Sequence, residues 1–180
     1  MVLAPIFLNL VRLAPGQALF TEAGVVHSYL EGAAVELQAS SDNLVRAGLT
    51  DKHVDTGELL RLVRFEPTEP RILEPRAAAT PGVFELRPSP GELSLRRLEL
   101  GSTRPGAAPA IELDLTPPER GAEVLVCTGG DAVVEAWIGA GSQREHLRAS
   151  ESVLLTAAAT SCRISGEATL FQAAVPLTAA

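Results

Sequence analysis

The chain has 180 residues, 46% of them apolar and 21% charged, with a formal net charge of −7. An acidic balance of this kind excludes broad nucleic-acid binding, which needs clustered cations to displace phosphate counterions, but it leaves room for a small phosphorylated ligand held by a few local cations. No run approaches the roughly 20 apolar residues of a spanning helix, so no membrane partner is expected.

The fifteen glycines and thirteen prolines punctuate short apolar runs, a pattern that favours an all-β sandwich or barrel over a helical bundle. Residues 1–13 are apolar but have no basic leader and no small-residue cleavage site, and they carry Asn9 and Arg12, which excludes a secretory signal. The pattern predicts a strand over 6–13, a turn at Ala14-Pro15-Gly16, a resumed strand over 17–20 and a break at Ala23-Gly24. Two short strands are then expected over 27–30 and 33–39, on either side of Glu31-Gly32.

The period changes over 55–65. Leu59, Leu60, Leu62 and Val63 form a helical stripe, Asp55 or Thr56 can cap it, and Glu58 lies in the first turn. One short helix near 55–64 is predicted. Prolines at 67, 70, 75 and 81 make 66–82 an extended connector.

From Val83 the β-pattern returns. Strands are predicted over 83–86, 92–100, 110–114, 122–128, 132–138, 152–156, 160–164 and 168–175, with Gly129-Gly130-Asp131 as a hairpin turn. These strands can close one complete jelly roll, whereas the first 50 or so residues supply too few to close another. The predicted organisation is a partial N-terminal β unit with its helix at 1–65, a connector at 66–82 and a complete jelly roll at 83–180. Cys127 and Cys162 are the only cysteines, and both lie in apolar strand-like runs. They read as reduced core thiols, which suits the cytoplasm.

Residues 8–60 carry the informative phrases LAPGQALFTEAGVVHSYLEG, VELQASSDNLVRAGLTDKHVD and ELL. This stretch resembles the type I mannose-6-phosphate isomerases. In that family a Pro-Gly turn precedes a His-x-Tyr segment, a Ser-Asp-Asn-x-x-Arg-x-Gly-x-Thr-x-Lys loop and a Val-Asp-x-x-Glu-Leu helix start. The run from Gly166 to Pro176 is similar to the end of the family's C-terminal cupin domain.

The resemblance implies cupin (jelly-roll) folds, one partial and one complete. It also implies zinc-dependent interconversion of mannose 6-phosphate and fructose 6-phosphate through an enediol. His27 matches a zinc ligand, Arg46 the arginine associated with catalysis, suited to stabilise developing negative charge or hold the sugar, and Glu36 a glutamate near the substrate, a candidate for acid–base or water-positioning work. Tyr29 and Asp42 match substrate-side positions, Asp42 bracing the loop or orienting Arg46. Lys52 is the chain's only lysine among fifteen basic residues, a compact ammonium suited to phosphate or proton handling. Asp51 and His53 flank Lys52 where the family often has Pro and Tyr, and Ser41 replaces a frequent Asn.

The family's other zinc ligands, a Gln-x-His pair and a Glu, have no match here. Gln143-Arg144-Glu145-His146 has the wrong spacing and reads as a solvated hairpin. One zinc ligand is therefore expected from this chain, which reads as a fragment acting on a phosphorylated hexose only with a complementing N-terminal fragment or through self-association. The alternative is a non-catalytic cupin module that binds a sugar or a partner chain.

Overall fold

A computed structural model describes residues 4–38, 44–48, 50–87, 93–102, 106–115 and 120–176. The chain divides into two units, Met1–Leu73 and Glu74–Ala180. The boundary lies inside the 66–82 stretch, and that stretch is not merely a connector: it holds a strand of each unit, β2 (Arg71–Leu73) and β3 (Arg76–Ala77).

The first unit contains a single helical turn, α1 (Ala4–Phe7), then β1 (Ala18–Phe20) and α2 (Thr56–Leu62), and it ends on β2. The turn before β1 is set by its sequence. The Gln17 N–H donates to Ala14 O at 3.0 Å, and Gly16 takes a φ of 91° behind Pro15, the arrangement of a type II turn. β1 and β2 pair antiparallel, from Ala18 opposite Leu73 to Phe20 opposite Arg71, and the Arg71 guanidinium lies 5.4 Å from the centre of the Phe20 ring.

Helix α2 forms where its capping residue and period predict. The Asp55 carboxylate accepts from the Glu58 N–H at 2.9 Å, and Arg61 pairs with Glu58 one turn on. The hydrogen bond and charge of Arg61 hold the Glu58 carboxyl below its usual range.

The strands predicted over 6–13, 27–30 and 33–39 do not form. Residues 4–7 are helical, and the described remainder of those stretches is irregular. Alternation gives a strand its faces, but only a neighbouring ladder holds its backbone extended, and the described strands of this unit pair only with each other. No residue whose burial is described between 6 and 73 is buried, and Phe7, Leu10, Leu30 and Phe65 are at least 75% exposed. Its described apolar side chains therefore form no core.

The second unit holds the core. Its strands after β3 are β4 (Val83–Leu86), β5 (Ser94–Leu100), β6 (Ala110–Asp114), β7 (Arg120–Ile138), β8 (Gly141–Arg148), β9 (Ser152–Leu155) and β10 (Ala159–Pro176). The ladder runs β3-β4-β5-β10-β7-β8, with β6 also on β10 and β9 also on β7. β10 is central. Its first part lies between β6 and the later half of β7, and its second part between β5 and the earlier half of β7. One pair of long strands thus belongs to both layers of an all-β jelly roll. Alternate residues face inward: Leu98, Ile111, Leu125, Cys127, Ile164 and Leu170 are buried, with exposures of 0%.

The Gly129-Gly130-Asp131 hairpin is corrected here. β7 runs straight through these residues, and the ladder slips by one residue between Thr169 and Leu170. Gly130 takes a φ of 75°, and a Cβ there would lie 1.9 Å from Glu167 O. Gly166, on the facing strand, takes a φ of 130°, and its Cβ would lie 2.3 Å from Asp131 O. The glycines permit a bulged bend with the two backbones in close approach, where a turn was expected. In the same way 160–164 and 168–175 belong to one strand. Residues 143–146 lie in the exposed strand β8, whose charged side chains suit an edge.

Candidate functional site

The residues matched to chemistry lie in the first unit, between β1 and α2. The Glu22–Val25 turn fixes the start of the segment. Val25 N–H donates to Glu22 O at 3.3 Å, with Gly24 at a φ of 81°. This turn is tied to the end of α2, because Arg64 N–H donates to Gly24 O at 2.9 Å and the Arg64 guanidinium pairs with Glu22 at 2.5 Å. A Cβ on Gly24 would lie 2.9 Å from Leu62 O, so the close seat of turn on helix requires glycine.

Two residues on, His27 Nδ1 lies 3.1 Å from Val25 O. A carbonyl only accepts, so Nδ1 carries the proton, and Nε2 keeps its lone pair in the neutral ring. A histidine held in this way is prepared to be a metal ligand through Nε2. The Tyr29 ring meets the His27 ring edge-on, with centroids 6.1 Å apart. The two side chains share a side, as i,i+2 spacing predicts, although the segment is not in a ladder.

The Tyr29 hydroxyl donates to the Glu36 carboxylate. Partial burial, followed by this hydrogen bond and the negative charge of Glu36, raises the phenol above its ordinary pKa of 10.0. At neutral pH Tyr29 is therefore a protonated donor and Glu36 its acceptor, a pair able to hold or pass one proton.

His27, Tyr29 and Glu36 thus form a contiguous trio. Among the described residues, no hydrogen bond or ion pair connects Arg46 or Lys52 to that trio. Arg46 is half-buried and Lys52 exposed, and the Lys52 backbone N–H donates to Thr50 Oγ1 at 3.2 Å. Asp42 lies outside the described residues. The motif spacing did not reveal the Val25 carbonyl that selects the His27 tautomer, nor the Tyr29–Glu36 contact. Only the alternation of His27 and Tyr29 hinted at the grouping.

Among the described residues, no cluster of three or more His, Cys, Asp and Glu side chains can hold a metal ion. The second unit has a cavity of about 50 Å³ lined by Val134, Ala136, Ile138, Leu155 and Ala159, with Gln143 and Glu145 also on its wall. Thr156 also lines it, and among the described residues this lining gathers no metal-ligating cluster. Cys127 and Cys162 are buried and not joined in a disulfide, and burial pushes the Cys127 thiol up. Among the described residues, no helix is long and apolar enough to cross a membrane.

No protein-family model matches the chain. Among curated proteins, it is 32% identical to mannose-6-phosphate isomerase of Escherichia coli over 169 residues, covering 93% of this chain and 39% of that protein. The corresponding figures for the Salmonella typhimurium enzyme are 34% over 165 residues, 91% and 38%. The human enzyme is 52% identical over 62 residues, 34% of this chain and 15% of that protein. Among solved structures, the mannose 6-phosphate isomerase of S. typhimurium bound to fructose 6-phosphate and zinc matches with a TM-score of 0.56 at 26% identity. That match covers 78% of this chain and 32% of the other. The chain therefore spans about two fifths of the length of the bacterial relatives it matches.

Proposed function

We propose that this chain, which belongs to the mannose-6-phosphate isomerase family and matches the C-terminal portion of its members, carries the substrate-handling part of an aldose–ketose isomerase site. The single observation that supports this reading best is the His27–Tyr29–Glu36 trio, in which a tautomer-fixed imidazole meets edge-on the ring of a phenol paired with a carboxylate.

The reaction moves a proton between adjacent carbons of an open-chain sugar phosphate. It needs a proton carrier, a counter-charge for the developing enediolate, and a cation for the phosphate. In this reading Glu36 takes and returns the proton, with Tyr29 donating to the carboxylate and setting its position. The Arg46 guanidinium stabilises the enediolate oxygens. The Lys52 ammonium holds the phosphate, and Asp42 braces the loop that carries Arg46. Buried, reduced thiols fit a cytoplasmic enzyme.

A bound zinc would supply Lewis-acid polarisation of the sugar carbonyl. His27 fits one ligand position through Nε2. Catalytic zinc sites use three protein ligands, and the described residues offer no further set near His27. The other ligands in this reading come from polypeptide that the sequence does not include. The same polypeptide would cover the apolar side chains that the first unit leaves exposed.

Zinc titration by calorimetry, run beside an assay for fructose 6-phosphate, tests the reading. The chain alone is expected to bind zinc weakly and to show no turnover. Adding the N-terminal remainder of the E. coli relative as a second polypeptide should restore both. Tight stoichiometric zinc binding with turnover by the chain alone would overturn the division of the ligands. A complex that forms but neither binds zinc nor turns over would favour the second reading, a non-catalytic cupin module.

A further inference from the structure

His27, Tyr29, Glu36, Arg46 and Lys52 lie in one continuous stretch, between the turn after β1 and the end of α2. Before α2 the described residues of that stretch enter no strand ladder, and none whose burial is described is buried. Neither backbone pairing nor a core therefore fixes the course of the stretch. Its two ends, however, are joined at a neck.

At the neck Arg64 meets the Glu22–Val25 turn at two points. Its backbone N–H donates to Gly24 O at 2.9 Å, and its guanidinium donates to the Glu22 carboxylate at 2.5 Å. Glu22 and Arg64 are 42 positions apart, so the contact closes a long loop. The backbones come so close that a Cβ on Gly24 would lie 2.9 Å from Leu62 O and 3.1 Å from Arg64 Cγ. From the neck the contacts run on to His27 without a break. Val25 N–H donates to Glu22 O at 3.3 Å, and His27 Nδ1–H donates to Val25 O at 3.1 Å. An exposed ion pair such as Arg64–Glu22 adds little stability by itself. Its location gives it weight, because the turn it holds ends on the carbonyl that selects the His27 tautomer.

We propose that Arg64, seated on Gly24, is a positioning residue for the candidate site. By closing the neck it holds the Val25 carbonyl where that carbonyl keeps the proton on Nδ1 of His27, which leaves the lone pair on Nε2. This inference rests on the isomerase reading for the use to which Nε2 is put. The same closure bounds how far the arm with His27, Tyr29 and Glu36 can stray from the arm with Arg46 and Lys52, since both start from the neck. Arg64 acts through His27 and itself touches neither sugar nor metal.

Nitrogen NMR on the full chain, at a pH where imidazoles are neutral, tests this. The protonated and bare nitrogens of a neutral ring resonate apart, so the spectrum reports which one carries the proton. His27→Gln identifies the His27 signals among the three histidines. The unaltered chain should carry the proton on Nδ1. Gly24→Ala, which forces the neck apart, should lose that preference, and Arg64→Ala should lose part of it. Combining Glu22→Arg with Arg64→Glu should restore what Arg64→Ala loses. Gly48→Ala is the control, because it also sets alanine at a positive φ, of 111°, yet its Cβ meets nothing within 4 Å. It should leave the His27 signals in place. A proton on Nε2 in the unaltered chain, unchanged signals in Gly24→Ala, an equal change in Gly48→Ala, or no recovery in the exchanged pair would each overturn the role of Arg64. If Gly24→Ala also melts α2, seen as faster amide exchange at Glu58, then Arg64→Ala and the exchanged pair decide. The measurement needs neither zinc nor sugar, so it is separate from the complementation test. A tautomer that follows the neck without turnover in the complemented complex overturns the isomerase reading alone. Turnover with a tautomer that ignores the neck overturns the role of Arg64 alone.

Discussion

Replacing Gly130 by alanine tests the bend on which the second unit depends. The perturbation is one methyl group, and it meets two separate obstacles. A φ of 75° is left-handed backbone, which costs a residue with a Cβ about 1–2 kcal/mol. The new Cβ would also lie 1.9 Å from Glu167 O on the facing strand, so β7 and β10 must separate where they are most closely apposed. Forced displacement in a packed interior typically costs about 1–3 kcal/mol, and the two together amount to about 2–5 kcal/mol. The neighbouring Gly129→Ala provides the control, because a Cβ there meets nothing within 4 Å. It should change stability by no more than about 0.5 kcal/mol. Urea unfolding followed by fluorescence of Trp137 reads this unit alone, since that residue is the chain's only tryptophan and lies in β7 opposite Ser142 and Ser161. The midpoint should fall for Gly130→Ala at an unchanged slope. If the two variants unfold within about 0.5 kcal/mol of each other, the bend does not need its glycine and the account of the bulge fails.

Leu170→Ala should destabilise the second unit by about 2–5 kcal/mol in the same urea assay, because Leu170 is fully buried between Leu98 and Cys127; a loss below about 1 kcal/mol would contradict that placement. Tyr29 is the only tyrosine, so phenolate absorbance should titrate with a midpoint above 10.0, and Glu36→Gln should lower that midpoint. A raised folded pKa means that the stabilisation of the neutral phenol is complete below the unfolded value and fades as pH rises through the folded one. Equal midpoints in the two proteins would remove the Tyr29–Glu36 contact. Asp55→Ala should cost α2 about 1 kcal/mol and speed amide exchange at Glu58, whose N–H the Asp55 carboxylate accepts; unchanged exchange there would count against the cap.

Local chemistry made some elements legible and hid others. Helix α2 could be read because its capping aspartate, its period and its Glu58–Arg61 pair all agree within one short stretch. The two long strands were each divided in the reading. Gly129-Gly130-Asp131 carries the composition of a hairpin, and only the tertiary approach of β10 turns those glycines into a bend. At His27 and Tyr29 the i,i+2 spacing agrees with their edge-on ring contact, although no strand forms there. Yet a strand also needs a ladder partner, and no sequence pattern within the segment reports whether one is present. The site residues themselves came from motif resemblance. Geometry added what spacing cannot carry, namely the tautomer of His27 and the acceptor for the Tyr29 hydroxyl.

The position of β10 bears on how the second unit is made. This strand pairs with β5, β6 and β7, and it is the last of them in the chain. A chain growing on the ribosome from its N-terminus therefore exposes seven strands of this unit whose central neighbour has not yet been synthesised. Until residue 176 clears the exit tunnel, Leu98, Ile111 and Leu125 have no Leu170 or Ile164 to pack on. At about 5–20 residues per second, synthesis of the eighteen residues of β10 takes only seconds, and folding must then follow as one late event. A ribosome stalled before β10 would hold a nascent chain rich in open strand edges, which makes this interval the time of greatest need for a holding chaperone.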